Sequence, residues 1–389
     1  MMNGKRFAKR KKSNIACAFA SVTPGQLLFC FMSVFSLALI IRNSDTAIEY
    51  MSRGLRLCAT TVIPSLFPFM VISELIVSGK AVNAFSGILG RPMKFLFGIS
   101  GRAGCAFILG TLCGFPVGTR CAVSLYNSGQ ITKNELQRVI SFANNPSSAF
   151  VISAVGVSLF GCRRFGVVLY TITLLSAFLI GILQNILSHL FKKQENGKTQ
   201  AENLSCRDTG KSGISTFTSA ITSSATGILN VCAFVIFFSA FIGTLGNVVE
   251  SLGSDIPQTV RALTFGFFEL TSGVSEAART DPVSLGIYIC AFIVGWSGLS
   301  VHFQIISLCD NTEISFRSYF ASKFFQGILN LLLLGLVIKF LPVQMIFNTE
   351  SISTGNIFWG SSIVGIIFTV IAIIAFLLKI LRKSKNNLA

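Results

Sequence analysis

Arg120 closes an uncharged run that begins at Ala103, and it stands directly behind Gly114-Phe115-Pro116-Val117-Gly118-Thr119. A charge at the centre of a bilayer costs roughly 2.5–3.5 kcal/mol on insertion scales, so a chain that keeps one there commonly uses it. Proline removes a backbone donor and clashes with the preceding turn, which predicts that a helix through this stretch unwinds at Pro116. Arg120, the freed backbone donors and the positive end of the following half-helix could then receive an anionic group such as a carboxylate. The plainer alternative is an arginine that snorkels to the membrane interface.

A second interruption, Asn144-Asn145-Pro146-Ser147-Ser148, offers amides and hydroxyls suited to a ring nitrogen or a carboxylate. It also reads as a helix cap, with Asn at the N-cap and Pro at the first helical position. Ser297, Ser300, His302 and Gln304 form a polar run inside a third apolar segment. Imidazole titrates near neutral pH, so His302 could carry a proton, or it could simply bond a neighbouring helix. Glu74 and Glu269 are the acids most embedded in apolar sequence, candidates for coupling to a proton or sodium ion or for pairing with Arg120 or Arg261.

Nothing in the sequence resembles a phosphate-binding glycine loop, a nucleotide-hydrolysing motif or a metalloprotease helix. The 11 cysteines are scattered through apolar stretches without metal-type pairing, and they read as small packing residues. No nucleophile has a plausible base nearby. The expectation is a protein that is not an enzyme and needs no metal or cofactor.

The elements that must hold these residues are membrane helices. The chain is 52% hydrophobic and 12% charged, against about 25% charged residues in an average soluble protein. Pro24–Ile41, Phe165–Ser188, Ala220–Val249 and Asn356–Leu378 each approach or exceed the roughly 18–20 apolar residues that a span needs. The net charge of +17 gathers at the ends of apolar segments rather than on an amphipathic face, which points to topology rather than nucleic acid. Basic clusters before the first span (Lys5 to Lys12) and after the last (Lys379 to Lys385) predict that both termini are cytoplasmic. The first apolar run reads as a retained anchor rather than a cleaved signal peptide.

The expected organisation is a basic tail at 1–23, a first span with a mixed-charge loop at 24–56, a first repeat at 57–191, a polar linker at 192–213, a second repeat at 214–345, and a final span with a basic tail at 346–389. Within the first repeat, Lys80 to Arg102 is too interrupted by Gly87, Gly90, Pro92, Gly98 and Gly101 to span alone, and reads as re-entrant or interfacial. The repeat rests on Cys105-Ala106-Phe107-Ile108-Leu109-Gly110 recurring as Cys290-Ala291-Phe292-Ile293-Val294-Gly295, after which Gly114 to Val117 lines up with Gly298 to Val301. The stretch from Lys80 to Arg102 is basic, whereas its counterpart, Gly246 to Arg261, holds Glu250 and Asp255; this bias predicts that the repeats are inverted.

From about Leu55 to Leu341, and most sharply at Gly110 to Arg120 (GTLCGFPVGTR), Tyr126 to Thr132 (YNSGQIT) and Phe142 to Pro146 (FANNP), the sequence resembles the sporulation integral membrane proteins with nucleoside-recognition (Gate) domains, in particular those of the stage V dipicolinate-transport type. That resemblance implies a fold related to concentrative nucleoside transporters and movement of dipicolinic acid across the outer forespore membrane. Members of that family commonly show Tyr where Phe115 stands and Lys where Arg120 stands. Arginine can grip a carboxylate with two parallel bonds, whereas lysine acts as a point charge.

The expectation is thus an all-α polytopic protein of about eight spans plus re-entrant or broken helices. Its partners would be the bilayer, a small anionic substrate, and a second copy or other sporulation membrane proteins, with no nucleic acid. The site would comprise Gly114, Phe115, Pro116, Val117, Gly118, Thr119, Arg120, Asn144, Asn145, Ser147, Ser297, Ser300, His302 and Gln304, with Glu74 and Glu269 as ion-coupling candidates. The alternatives are a transporter of nucleosides or another metabolite, and a scaffold for spore-envelope assembly.

Overall fold

The structure is a computed structural model that describes residues 24–78, 81–190, 213–251 and 256–340. The basic tails, most of the polar linker and the expected final span lie outside the described residues. Every regular element among the described residues is helical. Four stretches, Arg163–Ser188, Ile214–Ser251, Val283–Leu308 and Arg317–Phe340, are long and apolar enough to cross a membrane, and the number rises to six if two sharply bent helix pairs each count as one span. The chain is an integral membrane protein.

Helix α1 (Pro24–Arg42) turns by 101° into α2 (Ser44–Leu57). The expected mixed-charge loop after Arg42 is therefore a helix. Its charges fall one turn apart, so that Glu49 and Arg53 pair at 2.5 Å, and the opposite face buries Ala47 and Gly54 against α10 (Gly213–Ser251). A short π-helical segment, Cys58–Val62, continues into α3 (Ile63–Ser78).

The glycine-rich stretch that follows is likewise helical, forming α4 (Ala81–Phe97) despite Gly87, Gly90 and Pro92. It ends at Gly98, whose φ of +63° favours glycine, and an 86° turn leads into α5 (Gly101–Cys113). A Cβ on Gly101 would collide with the Ser86 carbonyl oxygen and lie 2.9 Å from the Gly90 nitrogen, so Gly101 lets α5 approach α4 closely, whereas Gly87 and Gly90 are carried within the helix. Phe97, Phe107, Phe142 and Phe178 form an aromatic cluster with ring centroids 5.1–5.3 Å apart, which ties α4 and α5 to the later helices α7 (Lys133–Ala143) and α9 (Arg163–Leu190).

From α5 onward the chain runs through a sequence of breaks. Helices α5 and α6 (Val117–Asn127) form one broken pair; α7 (Lys133–Ala143) and α8 (Ala149–Leu159, wound in the wider π pattern) form a second; α9 (Arg163–Leu190) is unbroken. After α10 the same order returns. Helices α11 (Gln258–Phe268) and α12 (Leu270–Ala278) are separated by Glu269, α13 (Val283–Trp296) and α14 (Gly298–Leu308) by Ser297, and α15 (Arg317–Phe340) is unbroken.

This order suggests a different register from the sequence match. It sets the Gly114 break beside Glu269 and the Asn144 break beside Ser297, whereas the Cys105 and Cys290 hexapeptides fall on helices at different places in the order.

Candidate functional site

The first-half breaks meet each other directly. Helix α5 ends at Cys113, Gly114 takes φ +83° and ψ −179°, and the Phe115–Pro116 peptide is cis. The Phe115 N–H donates to the Asn145 carbonyl at 2.8 Å, and the Thr119 hydroxyl donates to Asn144 Oδ1 at 2.5 Å. Asn144 and Asn145 also cap backwards, their Nδ2 groups donating to the carbonyls of Ile140 and Phe142 at 2.7 and 2.8 Å. The N-cap reading is corrected by this geometry: Asn144 is the C-cap of α7, Pro146 precedes the next helix, and Ser148 is the N-cap of α8. The asparagines satisfy carbonyls that α7 leaves unpaired where it stops.

Behind these asparagines lies a network that the sequence reading missed. Lys323 on α15 is fully buried, and its Nζ donates to the Asn144 carbonyl at 2.7 Å and to Gln326 Oε1 at 2.8 Å. Gln326 Nε2 donates to Asn145 Oδ1 at 2.7 Å and to the Thr173 carbonyl at 3.2 Å. One turn further on, Asn330 donates to Thr173 Oγ1 and the Ala291 carbonyl and accepts from Ser176. The signal was present in the sequence, since positions 323, 326 and 330 share one face of a helix whose other residues are mostly apolar.

The second-half breaks are narrower. Glu269 is buried and extended, and its two carboxylate oxygens accept from the N–H groups of Thr271 and Ser272 at 2.9 and 2.6 Å, capping α12. Among the described residues no cation pairs with it; Arg261 instead pairs with Glu250 and, at 3.2 Å, with Glu276. Ser297 adopts a left-handed conformation, φ 75°, and no side chain caps α14. The Trp296 indole donates to the Phe267 carbonyl at 3.0 Å and stacks on the Phe267 ring, which holds the α13/α14 break against the α11/α12 break. His302 is buried between aromatic rings; its Nδ1 bonds the Tyr319 hydroxyl at 2.8 Å, while Nε2 has no partner.

Both sets of breaks wall one cavity of about 50 Å³. Phe115 and Ser147 come from the first half; Glu269, Thr271, Ser300 and Gln304 come from the second. Val231 and Val235 of α10 and Leu66 of α3 complete its apolar side. Among the described residues Glu269 is the only ionisable side chain in this lining. Gln304 is 2% exposed and its Oε1 has no hydrogen-bond partner. It also borders a second, smaller cavity of about 10 Å³, whose other walls include Pro116, Arg120 and Gly227.

Arg120 lies on that farther side. Its Nε is 3.6 Å from Glu74, one Nη donates to Ser223, and the other Nη is buried without a partner against Gly227 of α10. Glu74 therefore stands where a structural counter-charge would stand. Of the residues singled out in the sequence, Phe115, Ser147, Glu269, Ser300 and Gln304 converge on the main cavity, and Pro116, Arg120 and Gln304 on its neighbour. Asn144, Asn145 and Thr119 serve the network, while His302 is set into the aromatic cluster around Tyr319. Gly114, Val117 and Gly118 are buried at the break and line neither cavity, and Ser297 forms the α13/α14 break itself.

Among the described residues the cysteines are free, and no cluster of His, Cys, Asp and Glu is placed to hold a metal.

No protein-family model matches the chain, and no solved structure matches it. The chain is similar to the sporulation integral membrane protein YlbJ of Bacillus subtilis (strain 168), with 29% identity over 371 residues that cover 85% of this chain and 89% of that protein.

Proposed function

We propose that this chain is a transporter of a small organic anion with a role in sporulation, and that its cargo is dipicolinate moved across the outer forespore membrane. The observation that carries transport is the buried cavity walled by breaks from both halves, because non-helical backbone inside a bilayer persists where it faces protein or a polar cavity. Similarity to a sporulation integral membrane protein supports the setting. The cargo comes from the family resemblance of the motifs around Arg120 and Asn144. In this reading the full chain has about eight spans, the halves are inverted repeats related to concentrative nucleoside transporters, both termini are cytoplasmic, and the halves rock around the breaks to give alternating access.

Arg120 supplies the attraction for a carboxylate, reached past Gln304, which borders both cavities. Glu74 offsets the charge of Arg120 in this region before cargo arrives. A dianion entering it brings compensating cations, and Glu269 is the carboxylate placed to hold one. Labelled dipicolinate should enter proteoliposomes saturably, and faster under an inward proton or sodium gradient; no uptake above empty liposomes would sink the proposal. Arg120→Ala should insert normally and weaken apparent affinity about tenfold or more, as loss of a charged hydrogen bond worth roughly 1.5–3 kcal/mol implies.

The pairing of Arg120 with Glu74 favours one second reading, a neutral cargo such as a nucleoside. Nucleoside uptake that is indifferent to Arg120→Ala would select it.

A further inference from the structure

When protonated, Lys323 is a cation with no carboxylate beside it: it is fully buried, and among the described residues no acid lies within ion-pairing distance. Such a charge persists inside a membrane protein only when oxygens replace its lost hydration. Here they are the carbonyl of Asn144, at 2.7 Å, and Oε1 of Gln326, at 2.8 Å. Asn144 ends α7, so the ammonium sits at the negative end of that helix, where its freed carbonyls point. Carbonyls at the ends of discontinuous helices are also what coordinate sodium in ion-coupled transporters. The amide of Gln326 is itself held in orientation, its Nε2 donating to Asn145 Oδ1 and the Thr173 carbonyl, which turns the oxygen toward Nζ.

We infer that Lys323, when protonated, is a tethered cation that fills a monovalent-cation site built from the end of α7 and one face of α15. An ammonium and a sodium ion carry the same charge and take the same hard oxygen ligands, but the lysine cannot leave. The first-half break therefore keeps its cation in every ionic environment, and exchange with dissolved ions is left to the Glu269 side of the molecule. The inference concerns how the break is held, and it stands or falls independently of which cargo is carried.

Thermal unfolding of the purified full-length protein in sodium chloride and in choline chloride at equal ionic strength tests it. The quantity read is the sodium-minus-choline difference in midpoint, compared between wild type, Lys323→Ala and Lys323→Gln. Lys323→Ala should lower the midpoint in choline and recover part of the loss in sodium, with a shift that saturates as sodium rises and exceeds that of wild type. Lys323→Gln places a neutral amide near the same oxygens and should show a smaller sodium response. Variants that are folded and respond to sodium no more than wild type would overturn the inference, as would variants that no sodium concentration recovers. A transport defect with the sodium-specific shift intact would leave it standing while counting against the lysine as a mere spacer.

Discussion

The first-half breaks are several residues wide, Gly114–Pro116 and Asn144–Ser148, whereas the second-half breaks are one residue wide, at Glu269 and Ser297. Width decides how many backbone groups are released and therefore how much bracing is needed. The wide breaks are joined to each other through Phe115 and Asn145 and tied to α9 and α15 through Lys323 and Gln326. The narrow ones rely on one carboxylate, one left-handed serine and the Trp296 indole on Phe267, and among the described residues unpaired atoms remain close by, on Gln304 and His302. Bracing by many partners makes a fixed element. In the proposed transport cycle, sparse bracing leaves the Glu269 break the freer to respond to a solute or an ion, while the unpartnered Arg120 Nη lies on the farther side, beyond the wide breaks.

The comparison can be broken most forcefully at Gly114. Its φ of +83° with ψ near 180° belongs to a region that is essentially reserved for glycine, and a Cβ there would stand 2.5 Å from the Ser147 backbone nitrogen. Gly114→Ala should cost more than about 3 kcal/mol and yield little monodisperse protein in size-exclusion chromatography. A well-folded variant would mean that the wide breaks are not rigidly joined. Gln326→Leu should have the next largest effect, about 1–3 kcal/mol read as a lowered unfolding midpoint, because it strips partners from Asn145 and Lys323 together.

Glu269→Ala removes only a helix cap and should cost about 0.5–2 kcal/mol. Its larger consequence should be functional, an uptake rate that no longer responds to a proton or sodium gradient. If Glu269→Ala proved more destabilising than Gln326→Leu, the assignment of bracing to the first half and responsiveness to the second would be reversed.

The wide breaks were legible in the sequence because proline and glycine announce them: Pro116 and Pro146 cannot continue a helix, and Gly114 permits a conformation that other residues avoid. The narrow break at Ser297 was visible only as a cluster of polar residues. Glu269 stood out as an embedded acid, but nothing in its neighbours showed that a helix stops there. Arg120 was found and its acidic partner, Glu74, was named, yet the side toward which the guanidinium turns depends on Gly227, more than a hundred positions away. Lys323 was passed over because a lone lysine near the start of an apolar stretch looks like an interfacial residue until the fold carries the end of α7 to it. The stretch around Asp45 reads as a loop by its charges, yet their one-turn spacing forms a helix, whereas the interruption expected between Lys80 and Arg102 falls at Gly98 rather than at Gly87, Gly90 or Pro92.

The cavity between the breaks is about 50 Å³, room for a few water molecules, whereas pockets that enclose small ligands run to roughly 300–1,000 Å³. An aromatic acid cannot simply drop into it. In the proposed transport cycle, admission of a solute and the parting of α11–α14 from the first half would be a single event, and some of the attraction the solute feels would be consumed in prising those walls apart. On the proposed transport reading, a protein built this way would hold its passenger loosely, which suits one that has to let go on the other side.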